Sequence, residues 1–346
     1  MIEPTHGAGR AEEAVGVRWQ TAEDEHGESV VCAADHPGGR LRNLHWPQPP
    51  TIKGFPCRIL VGETGGKIMG RAILETVYPP FAEIQNMHVL ESHRGRGVGG
   101  AMIDECIAQA GRMGFMAVFL QTHSDYGPAQ RLYARKGFFL AGKAQMLRLV
   151  RFLNLPVLDA FLHQHPLGTY SASPAEGDGA WSLVWSDWVS GDRLQLTLTG
   201  GTCDKDSDGH SPGLRTLSLS NGETTASVQL DGPREAAKGS TVELRLSVHN
   251  EGAQTVRLCT RLLLPPGCEA RGEWSRHGPV LELEPGGDIC SRVEVALTDD
   301  LDTEPLVYAS FGSLQLTVEV FLGQTSFWLT HTVLPGRWVE GGLRLD

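Results

Sequence analysis

Val89-Leu-Glu-Ser-His-Arg94-Gly-Arg-Gly-Val-Gly-Gly100 joins two segments of opposite periodicity. Before it, Glu83 to Leu90 reads as a strand. After it, Val98, Met102, Ile103, Cys106, Ile107 and Ala110 recur on one face of a helix, which Gly111 or Gly114 would end. A helix N-terminus leaves backbone N–H groups without partners and carries partial positive charge. Glycines remove the Cβ atoms that would keep a ligand away, so the amides can reach it. Arg94 and Arg96 add cationic donors at the same place. The chemistry points to an anion, and to phosphate first.

The flanks extend this strand–loop–helix unit. Cys57 to Val61, the turn Gly62-Glu-Thr-Gly-Gly66, and Lys67 to Leu74 predict a β-hairpin. Phe115 to Leu120 is an apolar run suited to a strand buried on both faces. Pro128 to Lys136 predicts a short helix with Gly137 past its end, and Phe138 to Val150 one or two further strands. Upstream, Val15 to Trp19 suggests a first strand and Thr21 to Ala34 an acidic helix. His36-Pro-Gly-Gly39 and Pro47-Gln-Pro-Pro50 mark loops, and residues 1–14 a disordered tail. The order is that of a mixed α/β sheet over 15–147.

Beyond it the character changes. Phe152 to His163 predicts one helix, followed by a Gly/Ser/Pro/Asp-rich stretch from Gly168 to Gly179. Period-2 runs then dominate, among them Leu194 to Leu198, Val242 to Val248 and Ser313 to Phe321. Asn250-Glu-Gly252, Pro265-Pro-Gly267 and Pro285-Gly-Gly287 punctuate them. The pattern predicts an all-β sandwich over 226–346, resembling immunoglobulin-like modules in general pattern, with 148–225 as a connecting region. Such folds host adhesion, dimerisation and glycan binding alike, so a protein or glycan partner for the sandwich is the broadest expectation.

Composition bounds the function. A net charge of −11 over 346 residues argues against a general nucleic-acid binder. Seven scattered cysteines form no Cys-x-x-Cys pair, so neither a disulfide framework nor a zinc site is expected, and no metal. The first 17 residues lack the basic start and apolar core of a signal peptide. No run reaches the roughly 18 apolar residues of a membrane span. The expectation is a soluble, cytoplasmic protein with no membrane partner.

Two other phosphate motifs fit less well. Gly95-x-Gly97-x-x-Gly100 satisfies a dinucleotide fingerprint, but Glu91-Ser-His-Arg94 separates strand from glycine and the next strand ends Leu120-Gln121 instead of on an acid. Gly65-Gly-Lys67 is followed by Ile68, and Val61 occupies the position where a Walker A loop needs glycine. Asp204-Lys-Asp206-Ser-Asp208-Gly209 copies half of a calcium loop, yet Arg215 stands where the bidentate glutamate belongs. Trp181, Trp185 and Trp188 fit a helical stripe, a strand on a core or an exposed ligand face, with core packing the plainer reading.

Arg94-Gly-Arg-Gly97-Val-Gly99 resembles the Arg/Gln-x-x-Gly-x-Gly/Ala motif of the GNAT acyltransferase family, and Leu132-Tyr133-Ala-Arg-Lys-Gly137-Phe138 resembles its closing signature. The resemblance covers about 90 residues and departs at Glu91, where proline is common, and at Tyr126, where asparagine often stands. It implies acyl transfer from acetyl-CoA to an amine acceptor. On it, the amides of Arg96, Gly97, Val98, Gly99 and Gly100 hold the pyrophosphate, with Arg94 beside them. The main chain of Met87, His88 and Val89 splays from its neighbour to pair with the pantetheine arm. Tyr133 would protonate the departing thiolate, the alternative being a packing tyrosine. Phe81-Ala-Glu83-Ile84 resembles the strand that carries a catalytic glutamate in histone-type members, so Glu83 is the candidate base; it also fits a solvated strand end. His88 and His93 are alternative bases, and strand alternation would set His88 opposite to Glu83. A non-catalytic acyl-CoA-binding regulator or scaffold is the competing function.

Overall fold

The computed structural model describes residues 15–19, 58–78, 80–143, 146–176, 180–199, 213–221, 225–265, 267–275, 278–301, 314–322 and 325–335. The expected helix over Thr21 to Ala34, the loops up to Pro50 and the half-calcium loop lie outside these residues.

Strands β1 (Gly16–Trp19), β2 (Arg58–Thr64), β3 (Lys67–Tyr78), β4 (Phe81–Val89), β5 (Ala117–His123), β6 (Phe139–Lys143) and β7 (Met146–Phe152) form one sheet in the order β1-β2-β3-β4-β5-β7-β6. Every pairing in it is antiparallel except β4 with β5. Helix α1 (Val98–Arg112) buries Val98, Met102, Ile103, Cys106 and Ala110, the face that the sequence periodicity picks out. It lies close to the sheet because Gly62 and Gly70 face it. A Cβ on Gly62 would come within 2.8 Å of Val98 Cγ1, and one on Gly70 within 2.9 Å of Met102 Cε. Helix α2 (Gly127–Arg135) starts with proline in its first turn and is followed by Gly137 at φ 76°.

Helix α3 (Pro156–Gln164) is shorter than the helix expected from Phe152. Phe152 is the last residue of β7, and Leu155, which precedes a proline, is held out of helical geometry at φ −130°, ψ 77°. The Gly/Ser/Pro/Asp-rich stretch from Gly168 contains strand β8 (Thr169–Pro174), whose polar alternation leaves one side exposed.

The remaining strands are β9 (Trp181–Ser186), β10 (Arg193–Thr199), β11 (Gly213–Ser220), β12 (Thr225–Asp231), β13 (Glu235–Ala236), β14 (Thr241–Asn250), β15 (Val256–Leu263), β16 (Cys268–Arg271), β17 (Val280–Leu283), β18 (Asp288–Leu297), β19 (Leu314–Leu322) and β20 (Thr325–Pro335). Among the described residues they build two sheets, β16-β18-β14-β12-β11-β10-β9-β8 and β13-β20-β19-β15-β17. A boundary near 226 therefore falls inside one sheet: β8 to β11 precede it and pair continuously with β12 and β14. Period-2 runs such as Leu194 to Leu198 already precede that boundary, but their continuity with β12 through β11 is a long-range pairing with no local signal. Trp181 and Trp185 share a face of β9, since a spacing of four is also even, whereas Trp188 stands 79% exposed in the turn that follows.

One buried cluster joins the two parts of the chain. It runs from Phe81, Ala117, Phe119 and Val150 through Leu155, Val157 and Phe161 of the α3 segment into Leu183, Trp185 and the C-terminal sheets. At the junction Trp185 meets Phe139 edge-on at 5.4 Å and Phe152 at 6.1 Å, while Tyr170 packs on Phe139 at 4.9 Å. The Tyr170 hydroxyl donates to the Leu140 carbonyl at 2.5 Å.

Candidate functional site

The ladder between β4 and β5 covers only Phe81↔Ala117 to Ile84↔Leu120. Beyond that point β4 stays with β3 up to Gly70↔Val89, and β5 stays with β7 up to His123↔Met146. The sheet therefore opens in a V with Gln85 to Val89 on one lip and Gln121 to His123 on the other. A bulge shapes the first lip. Between Ile73↔Gln85 and Arg71↔His88, β4 carries one residue more than β3, and Asn86 takes φ 45°, the one positive value at a non-glycine among the described residues.

The bulge also corrects a sequence expectation. One inserted residue rephases the strand, so His88 lies on the same face as Gln85 and Glu83, not opposite to them. Met87 and Val89 turn to the other face, against the start of α1, where a Cβ on Gly99 would meet Val89 Cγ2 at 3.6 Å and Met87 Cε at 4.0 Å.

At the mouth of the V, a 3-10 turn (Glu91–His93) leads into the glycine loop, and Gly95 and Gly97 take φ 77° and 86°. Gly97 is the N-cap of α1; no side chain caps the helix and its first turn carries no acid. Ideal Cβ atoms on Gly95 and Gly97 would meet nothing within 4 Å, so the loop surface is open. Arg94 Nε donates to the Val89 carbonyl at 3.1 Å, tying the loop to the end of β4, and Arg96 is exposed. His93 Nδ1 is engaged with Ser92 Oγ at 2.9 Å within this turn. The sequence reading missed one cation. Lys136 Nζ lies 3.9 Å from where a Gly100 Cβ would stand and pairs with Asp104 Oδ2 at 2.5 Å. Its signal was its place in the α2 closing motif. Unpaired helix N–H groups, open glycines and nearby cations together suit a multiply charged anion.

The two faces of the V differ chemically. The α1 face is apolar around the split: Ala82, Ile84, Val118 and Leu120 cluster with Tyr133, Ala129 and Phe138. Tyr133 is 7% exposed and meets Phe138 edge-on at 5.9 Å. Burial, followed by the neighbouring Tyr126, pushes its phenol up to about 12. The opposite face is polar and buried. Glu75 and Glu83 stand across from each other, with Arg71, Gln85 and His88 on the same face and Arg148 on β7, 5.8 Å from the Phe119 ring centroid. Glu83 is 4% exposed, so it is not a solvated strand end. The Trp185 junction abuts this same face, because Phe139 and Phe152 pair with Val150 and Ala117. Among the described residues no group of three or more metal-ligating side chains is found, and no helix is long and apolar enough to cross a membrane.

A family model described as the acetyltransferase (GNAT) family matches residues 19–138. An uncharacterized N-acetyltransferase of Mycobacterium bovis is 30% identical over 84 residues, 24% of this chain and 54% of the relative. A streptothricin acetyltransferase of Escherichia coli is 30% identical over 76 residues, 22% of this chain and 44% of the relative. The chain thus spans about half the length of the curated relatives it matches. Among solved structures, an IAA acetyltransferase from Bacillus cereus is 20% identical, covering 40% of this chain and 100% of its own at a TM-score of 0.33. A GNAT family acetyltransferase from Elizabethkingia anophelis with acetyl-CoA bound is 17% identical, covering 40% and 98%, at a TM-score of 0.33. The N-terminal region has a GNAT-like fold and matches the acetyltransferase (GNAT) family model, and a strand-rich C-terminal region follows it.

Proposed function

We propose that this protein transfers an acetyl group from acetyl-CoA to a primary amine by direct attack. The observation that carries the reading is the open seam between β4 and β5, with the helix terminus at Gly97, free of side-chain caps and of acids, at its mouth and unlike faces on its two sides. In this reading the pyrophosphate sits on the amides of Arg96 to Gly100, with Arg94 and Lys136 adding positive charge. The pantetheine arm takes the place of β5 along Met87, His88 and Val89, so the thioester lies where the strands part.

Attack then has a direction. The acceptor approaches from the polar face as its ammonium ion. Glu83 takes one proton from it, directly or through a water it orders, and the neutral amine that results attacks. Nitrogen bonds to the carbonyl carbon, the C–S bond breaks, and the sulfur departs toward the Tyr133 face. The nitrogen, now cationic, gives its second proton to solvent to leave the neutral amide. A phenol pushed up to about 12 stays protonated at neutral pH, as a donor must. The same shift makes it a weak acid, since full transfer would leave a phenolate among apolar side chains. Tyr133 therefore acts by hydrogen-bonding the developing thiolate, and solvent completes the protonation.

We read the two C-terminal sheets as a sandwich that walls the acceptor side, with α3 as the connector between the two regions. The primary test is isothermal titration with acetyl-CoA, with NADH as control, for the wild type and Gly97→Glu. Acetyl-CoA binding that disappears in the variant supports the reading; NADH binding, or retained affinity, refutes it. A panel of spermidine, free lysine, streptothricin and a peptide with a free N-terminus then follows for turnover. Binding without turnover of any of these amines favours the non-catalytic acyl-CoA-binding alternative.

A further inference from the structure

Glu75 and Glu83 occupy facing positions of the β3–β4 ladder and are 5% and 4% exposed. Like charges placed directly opposite on neighbouring strands repel, and burial sharpens the effect. A packing role would be met more cheaply by two apolar residues. The side chain between them explains how the pair is organised. Gln85 Nε2 donates to Glu83 Oε2 at 2.6 Å and also to Glu75 Oε2. A primary amide carries two N–H donors, so a single group serves both carboxylates. Gln85 is also the last residue before the Asn86 bulge, on the lip where the seam opens.

We propose that Glu75 is a positioning residue: acting through the Gln85 amide, it fixes the Glu83 carboxylate in the orientation that receives the proton of the acceptor amine. The inference rests on the reading of Glu83 as the base. Glu75 anchors one hydrogen of the amide, which leaves the other aimed at Glu83. Without that anchor the amide loses the contact that sets its turn, and the base loses one of the contacts that orient it where the amine must meet the thioester. What the role requires at position 75 is an acceptor oxygen, not a charge.

The test is steady-state kinetics with the panel amine that turns over fastest. Glu75→Met, which removes the acceptor, should lower kcat about tenfold, a loss in scale with modest misplacement of a catalytic group. The KM for acetyl-CoA should stay unchanged. Glu75→Gln, which keeps an oxygen, should restore most of the rate, a rescue that a purely electrostatic role would not produce. Gln85→Met should match Glu75→Met, and it carries the test if the latter fails to fold. In a Glu83→Gln background, Glu75→Met should add nothing. An additive loss there, or full activity of Gln85→Met, overturns the inference while leaving Glu83 as base. Full activity of Glu83→Gln instead removes the reading on which it rests.

Discussion

The seven-stranded sheet and the C-terminal sheets use the same element in opposite ways. In the C-terminal region the longest ladders run unbroken, from Thr241↔Ala296 to His249↔Asp288 and from Leu314↔Val333 to Leu322↔Thr325, and the β10–β11 ladder shifts register at Thr197/Leu198. Its buried strand positions are mostly aliphatic, and a buried polar group such as Asn250 is satisfied by backbone partners: the carbonyls of Gln254 and Leu283 and the amide of Gly252. In the N-terminal sheet the one parallel ladder stops after four pairs, β4 is bulged at a residue with positive φ, and Arg71, Glu75, Glu83 and Arg148 are buried together. Regularity is what packing alone produces. Interrupted pairing and concentrated buried charge work against stability, and they sit where chemistry is proposed.

If the regular region were an independent module, damage at the junction would stay on its side. Trp185→Ala should cost about 3–5 kcal/mol, the range for emptying a buried tryptophan site. The shared cluster predicts that strands of both regions lose stability together, read as protection of β4–β7 and of β9–β14 in hydrogen exchange. A loss confined to β8–β20 would divide the molecule in two. The contrast between the faces of the seam is tested by Tyr133→Phe, which should lower turnover about 10²-fold at unchanged acetyl-CoA affinity. An unchanged rate would reduce Tyr133 to a packing residue. Lys136→Ala should weaken acetyl-CoA binding about three- to tenfold, by an amount that shrinks as salt is raised, because the contact is exposed to solvent screening. A salt-independent effect would assign Lys136 to helix packing instead.

The smallest expected effect lies in the regular half. Burial, opposed by the Pro233 carbonyl, lowers the pKa of His331 below its ordinary 6.5. The folded state binds this proton less readily than the unfolded chain does. Stability is therefore whole above pH 6.5 and declines as pH falls through that value toward the folded pKa. His331→Gln should flatten that decline in thermal melts between pH 7.5 and 5.5, and an equally steep variant would locate the acid sensitivity elsewhere.

What could be read from the sequence follows from the range of each signal. The glycine loop, α1 and α2 rest on contiguous residues, and their limits fall within a few positions of those expected. The faces of β4 were misread because a bulge is a relation between two strands, and nothing local at Asn86 announces that β3 has one residue fewer. Glu75 and Lys136 escaped notice for a related reason. One acquires meaning only from its partner across the ladder, the other only from the helix end it reaches across space. The C-terminal strands were legible as strands, because period 2 is local. Their assignment to one eight-stranded and one five-stranded sheet was not, because pairing is long-range and β8 looks like linker.

The short β4–β5 ladder has a mechanical meaning as well. The N-terminal sheet is two plates, β1 to β4 and β5 with β7 and β6, welded along Phe81–Ile84 and Ala117–Leu120. Strain applied across it concentrates at the tip of that weld, as in a notched beam. A molecule lying in the notch and bonded to the β4 lip would act as a staple, and its departure would return the load to the four remaining residue pairs.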